Sequence, residues 1–162
     1  MMPETNVAVR LSEIDHFRDL SDPFLAELVS GSEFRSYAKD DEILTPDRPY
    51  AGFSFLVRGS WWMSRSLVGT NSPFEWSDDR PGNWHGGIPL FDAIAPVRVL
   101  ARTACDVLHV PRELLDSIAA RNAHLALAML RGVQGGSTVL FKHAHDGEAE
   151  NAPSGPAMGL TT

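Results

Sequence analysis

The residues with chemical potential gather between Arg80 and Cys105, in the stretch RPGNWHGGIPLFDAIAPVRVLARTAC. Gly86 and Gly87 are adjacent, and paired glycines can turn backbone N–H groups toward an anion. The N-terminus of a following helix would add to that attraction. The same glycines would also serve a plain tight turn. His85 precedes them and could hold an acidic or metal-bound group, or pack structurally. Trp84 is the tryptophan best placed for an aromatic pocket wall, since ligand pockets are mostly apolar with a few polar anchors. Trp61, Trp62 and Trp76 read as core or interface residues.

Other chemistries find less support. His143-x-His145-Asp146 has metal-ligand types but lies in a polar tail. Cys105 falls in an apolar strand turn, where a thiol is expected to be inert. Ser, His and Asp occur without a nucleophile elbow. No catalytic residue, metal ligand or cofactor is assigned on this basis.

The elements that must position these residues can be read in outline. The chain has 162 residues, 43% of them hydrophobic, enough for one domain with a core. Ser12 is expected to cap a helix carrying Ile14, Phe17 and Leu20. Ser21-Asp22-Pro23 is a second helix start, followed by Phe24, Leu25, Leu28 and Val29, with Gly31 as the stop. From Glu33 the pattern changes to short strands. Phe34 and Tyr37, then Ile43 and Leu44, flank a turn at Lys39-Asp40-Asp41. Phe53, Phe55 and Val57 alternate with Ser54, Leu56 and Arg58 up to Gly59. Trp61 begins the next strand, Gly69 to Pro73 is a loop, and Phe74 and Trp76 alternate again. Ile88, Leu90, Phe91 and Ile94 suggest a turn of apolar helix, ended by Pro96. Val97, Val99 and Ala101 then alternate with Arg98, Leu100 and Arg102. Pro111 opens a helix with Leu114, Leu115 and Ile118 inward. A longer helix from Asn122 carries Leu125, Leu127, Met129, Leu130 and Val133, weakened by Gly132, Gly135 and Gly136. Short strands at regular spacing predict a closed or double-sheet β architecture.

The stretch from Gly82 to Cys105 resembles the phosphate-binding cassette of the cyclic nucleotide-binding domain family, which includes the bacterial cAMP receptor proteins. Gly82, Gly86, Ile88, Leu90, Val99, Ala101, Thr103, Ala104 and Cys105 carry the resemblance. Gly59 matches the glycine of the family's earlier hairpin, and the opening helical pair matches as well. The resemblance covers residues 10–142. It implies a mainly β fold with flanking helices, a double-stranded β-helix (jelly-roll) barrel with an N-terminal helical pair and C-terminal helices. The expected boundaries are a tail at 1–9, helices at 12–30, a barrel at 33–110 and C-terminal helices at 111–142, and the composition from His143 predicts a disordered tail at 143–162.

The departures fall on the ligand chemistry. The family's ribose-binding Glu falls at Gly87, its phosphate-binding Arg at Ala95, and the hydroxyl residue after it at Pro96. A guanidinium grips phosphate through two charge-assisted bonds, so its loss weakens binding by one or more powers of ten. Arg98 and Arg102 are the nearby cations. Arg98 lies three positions from Ala95, so strand alternation turns it to the other face.

The expected function is a non-enzymatic regulatory or sensor module. It binds a small-molecule or nucleotide-like ligand other than standard cAMP, or has lost ligand binding. Trp84, His85, Gly86, Gly87, Ile88, Leu90, Ala95, Pro96 and Val97 are its candidate pocket. An alternative is a protein-interaction or assembly module whose pocket is filled by the Trp61-Trp62 pair and Phe91. A third is a metal-dependent cupin-like enzyme, but no His-x-His falls between Glu33 and Val110. A net charge of −7 with two lysines argues against a nucleic-acid surface. No apolar run reaches the roughly 18 residues that span a bilayer. A lone cysteine and the absence of a signal-like N-terminus point to a reducing cytoplasm. Fewer than about 30 residues follow the last helix, too few for a DNA-binding domain. The 122–141 helix is a candidate homodimer seam by resemblance.

Overall fold

The structure, a computed structural model, describes residues 4–66, 69, 71–90 and 97–132. Two helices come first, α1 (Glu4–Ser12) and α2 (Asp22–Ser30). Among the described residues eight strands follow: β1 (Glu33–Tyr37), β2 (Glu42–Leu44), β3 (Phe53–Arg58), β4 (Trp61–Arg65), β5 (Phe74–Asp78), β6 (Trp84–His85), β7 (Arg98–Ala101) and β8 (Cys105–Val110). Helix α3 (Arg112–Arg121) follows. One antiparallel sheet has the order β1-β8-β3-β6 and the other β2-β7-β4-β5. This is the expected mainly β jelly-roll with flanking helices.

The first sheet is covered on both sides, which explains its residues. Phe53, Phe55, Val57, Leu108 and Val110 pack against the helices with Leu11, Phe17, Leu28, Leu115 and Ile118. Leu56, Cys105 and Val107 face the second sheet and pack with Trp61, Met63, Val99 and Ala101. All six residues of β8 are buried, as are the first five of β3. Two-sided burial replaces the alternation expected for Phe53–Arg58: Ser54 and Leu56 point into the barrel and are fully buried. Strand β7 does alternate, with Val99 and Ala101 buried and Arg98 and Leu100 half-buried.

The N-terminus corrects one expectation. Ser12 is the last residue of α1, at the end of a helix and not at the start of one. Residues 4–9, expected as part of a tail, belong to α1, with Val7 and Leu11 buried. Ile14, Phe17 and Leu20 are buried as their spacing suggests. Their backbone is a series of turns, with the Phe17 N–H donating to Ile14 O at 2.9 Å. Helix α2 forms where expected, with Ser21 as N-cap, proline in its first turn and Gly31 as C-cap. In α3, Leu115, Ile118 and Ala119 are buried.

The chain divides into a compact unit ending at Met129 and a second beginning at Leu130. Residues 123–132 are helical. Within the first unit Leu125 and Met129 are buried, while Leu127 is 50% exposed. Residues 133–141 of the expected dimer helix, the metal-ligand types at His143, His145 and Asp146, and the tail lie outside the described residues. No helix among the described residues is long and apolar enough to cross a membrane.

Gly59 turns β3 into β4 at φ 93°, and a Cβ there would collide with the Ala104 carbonyl oxygen. Gly59→Ala is expected to cost about 1–3 kcal/mol through left-handed strain and a forced backbone shift. A urea midpoint equal to wild type would contradict this.

Candidate ligand-binding site

Strand β6 sets the two faces of the cassette. It pairs with β3 so that His85 lies opposite Ser54 and Trp84 opposite Phe55. Opposite residues of an antiparallel pair share a face. His85 therefore faces the barrel interior and Trp84 the helix side. Trp84 stacks on Phe55 at 6.3 Å and meets His16 edge-on at 5.2 Å. Its indole N–H donates to Gly87 O at 2.7 Å. The structure thus places Trp84 under the helices, apart from the interior that His85 faces.

Gly86 and Gly87 have φ of 130° and 87°. A Cβ on Gly86 would lie 2.6 Å from Gly52 O and 2.9 Å from Phe53 Cα, so close approach of two backbones requires glycine here. Arg112 donates to Gly86 O, and its guanidinium sits 4.5 Å over the Phe53 ring. The glycine turn is thereby clamped to the start of α3. Gly87 and Ile88 are half-buried. Leu90 corrects the expected helix turn: it has φ 71°, is 54% exposed, and donates its N–H to Asp116 Oδ1 at 2.9 Å. Phe91, Ile94, Ala95 and Pro96 lie outside the described residues. Val97 is buried in the barrel interior. Arg98 is an outer-face residue, ion-paired to Glu42, and Arg102 is exposed.

The interior has an apolar part and a polar part. Trp61, Met63, Val99, Ala101, Leu44, Leu56 and Val107 form the first. Cys105 joins them, its thiol 3.0 Å from Ser60 O, and burial raises its pKa. The polar part is a row across the first sheet. Its register pairs Glu33 with His109, His109 with Ser54, and Ser54 with His85. Ser54 Oγ lies 2.8 Å from His109 Nδ1, and the Tyr37 hydroxyl 2.7 Å from His109 Nε2. A neutral imidazole donates one of these bonds and accepts the other. Burial, helped by Arg35, holds the His109 pKa down to about 4. Burial, helped by Arg65, does the same to His85.

Arg65 comes from the second sheet. Trp61, Met63 and Arg65 are every second residue of β4, and the first two line the interior. Among the described residues, Arg65 Nε is buried with no hydrogen-bond partner. Sequence reasoning weighed Arg98 and Arg102 and missed this cation, although the period of two from Trp61 marks it. It also missed the Tyr37–His109–Ser54 chain, whose bonded members are 72 and 55 residues apart and meet only through strand register.

A separate surface cavity of about 390 Å³ is lined by Arg10, Glu13, Val57, Arg58 and Pro81. Its two cations already face Asp106, at 3.8 Å and 2.7 Å. No group of three or more His, Cys, Asp and Glu side chains is placed to hold a metal among the described residues.

No family model matches the sequence, and no curated protein does. Solved structures do match. Against cAMP-bound PfPKA-R the TM-score is 0.67 at 15% identity, covering 87% of this chain and 47% of that one. Against the regulatory subunit of a cAMP-independent protein kinase A from Trypanosoma brucei it is 0.63 at 13% identity, covering 82% and 47%. The chain thus spans about half the length of these two. Against the sensor domain of the transcriptional regulator DNR from Pseudomonas aeruginosa it is 0.63 at 16% identity, covering 97% and 98%. The chain has the fold of the cyclic nucleotide-binding domains.

Proposed function

We propose that the chain is a non-enzymatic regulatory or sensor module whose pocket takes a small ligand other than standard cAMP. One observation carries this. The cassette has Gly87 and Ala95 where the family's ribose and phosphate contacts belong, while the barrel interior keeps a polar part beside it. Loss of ligand binding alone would leave an interior free to become fully apolar, because buried polar groups cost stability unless they are satisfied. The same fold serves in a cAMP-independent regulatory subunit, which supports separating the fold from the nucleotide. A thermal-shift panel of nucleotides and small organic anions tests the reading. A rise in Tm with a compound other than cAMP is expected, and a rise with cAMP alone would contradict it.

A second reading is an interaction module with a filled interior, favoured by Trp61, which is wholly buried between the sheets. A homodimer through the 122–141 helix would suit either reading. Light scattering should then give a mass that rises toward two chains with concentration, and a constant single-chain mass would contradict it.

A further inference from the structure

We propose that Arg65 and His85 form an anion site inside the barrel, taking the carboxylate or phosphate head of a small organic ligand. This rests on the sensor reading above and names the charge of what is sensed. Arg65 leaves β4 on the face of Trp61 and Met63, and His85 leaves β6 on the face of Ser54, so two sheets bring them to one interior.

Arg65 Nε is buried without a partner, and none of the ion pairs of the described residues includes Arg65. Buried polar groups in folded proteins are nearly always satisfied, so each exception calls for an account. A guanidinium is a planar fork of donors matched to an oxyanion. His85 is buried nearby, and the positive charge of Arg65 disfavours its protonation. An oxyanion between them would accept from both and remove that repulsion. Arg65 is only half-buried, so solvent reaches part of it. Met63 and Val99 supply apolar wall beyond it, suited to a ligand with an apolar body.

The test is an NMR titration of the ¹⁵N-labelled chain at constant ionic strength, with inorganic phosphate in one arm and benzoate in the other. The Arg65 Nε–H and His85 ring signals report. Saturable shifts in either arm are expected, and the arm that saturates at lower concentration tells phosphate from carboxylate. Arg65→Gln should weaken the response by about tenfold or more, with Arg65→Lys between. Arg65→Gln removes an unpartnered donor, so its spectrum should stay dispersed and its Tm should not fall. Unsaturated drift in both arms, or equal affinity in Arg65→Gln, would overturn the site. A parallel cAMP arm separates the two ideas. Tight cAMP binding that survives Arg65→Gln overturns the proposed function, whereas silence toward both anions overturns the Arg65–His85 site.

Discussion

Acidification from pH 7 to pH 5.5 will destabilise the folded chain by about 4 kcal/mol, roughly 1.2 kcal/mol from each of three histidines, two of them buried and His16 half-buried. His16, His85 and His109 all have pKa values lowered by burial to about 4. The unfolded chain holds each nearer 6.5, so it takes up protons first as the pH falls. Their contribution is therefore complete above about pH 6.5 and is lost progressively between 6.5 and 4. Urea midpoints across this range give the proton difference directly. The unfolded state should bind close to three more protons at pH 5.5. His16→Phe should reduce that number by one, because His16 lies among Phe17, Phe55 and Trp84 with its Nε2 buried and unpartnered among the described residues. A pH-independent midpoint between 7 and 5.5 would contradict the burial of these rings.

Truncating Trp61 will cost about 3–5 kcal/mol, as expected when the largest core side chain leaves a cavity. Trp61 is wholly buried between the two sheets, among Met63, Val99, Ala101 and Leu56. Its indole N–H is buried with no partner among the described residues. That detail separates two variants. Trp61→Ala loses packing and leaves a void. Trp61→Phe loses less volume and also removes an unsatisfied donor, whose burial costs about 1–3 kcal/mol. Trp61→Phe should therefore be much the milder change by chemical denaturation. Equal losses for the two would contradict this account of the interior.

Much of the fold was legible because local rules and tertiary packing agree. Ser21, Pro23 and Gly31 mark the two ends of α2, although Ser21 makes no side-chain cap bond, and Gly59 turns a hairpin where only positive φ fits. The legibility ended where one pattern serves two structures. Ile14, Phe17 and Leu20 are spaced for a helix, yet they are anchors of successive turns beneath the sheet. Phe53 to Arg58 alternates in the sequence, yet helices on one side and a second sheet on the other bury both faces. The site was only half legible. His85 could be singled out by its place beside Gly86, and Trp84 with it, but strand alternation sends them to opposite faces. His109 became visible only when register set β8 between β1 and β3, and Arg65, marked by the period of two in β4, gained its meaning when the two sheets faced each other.

On the proposed function the fold persists while the nucleotide chemistry has changed. Calorimetric titration of the purified chain with cAMP and cGMP tests it most directly. With Gly87 and Ala95 in place of the ribose and phosphate contacts, the account predicts no saturable heat at micromolar concentrations. A Kd in the micromolar range for either nucleotide would mean that the cassette still works, and would contradict it.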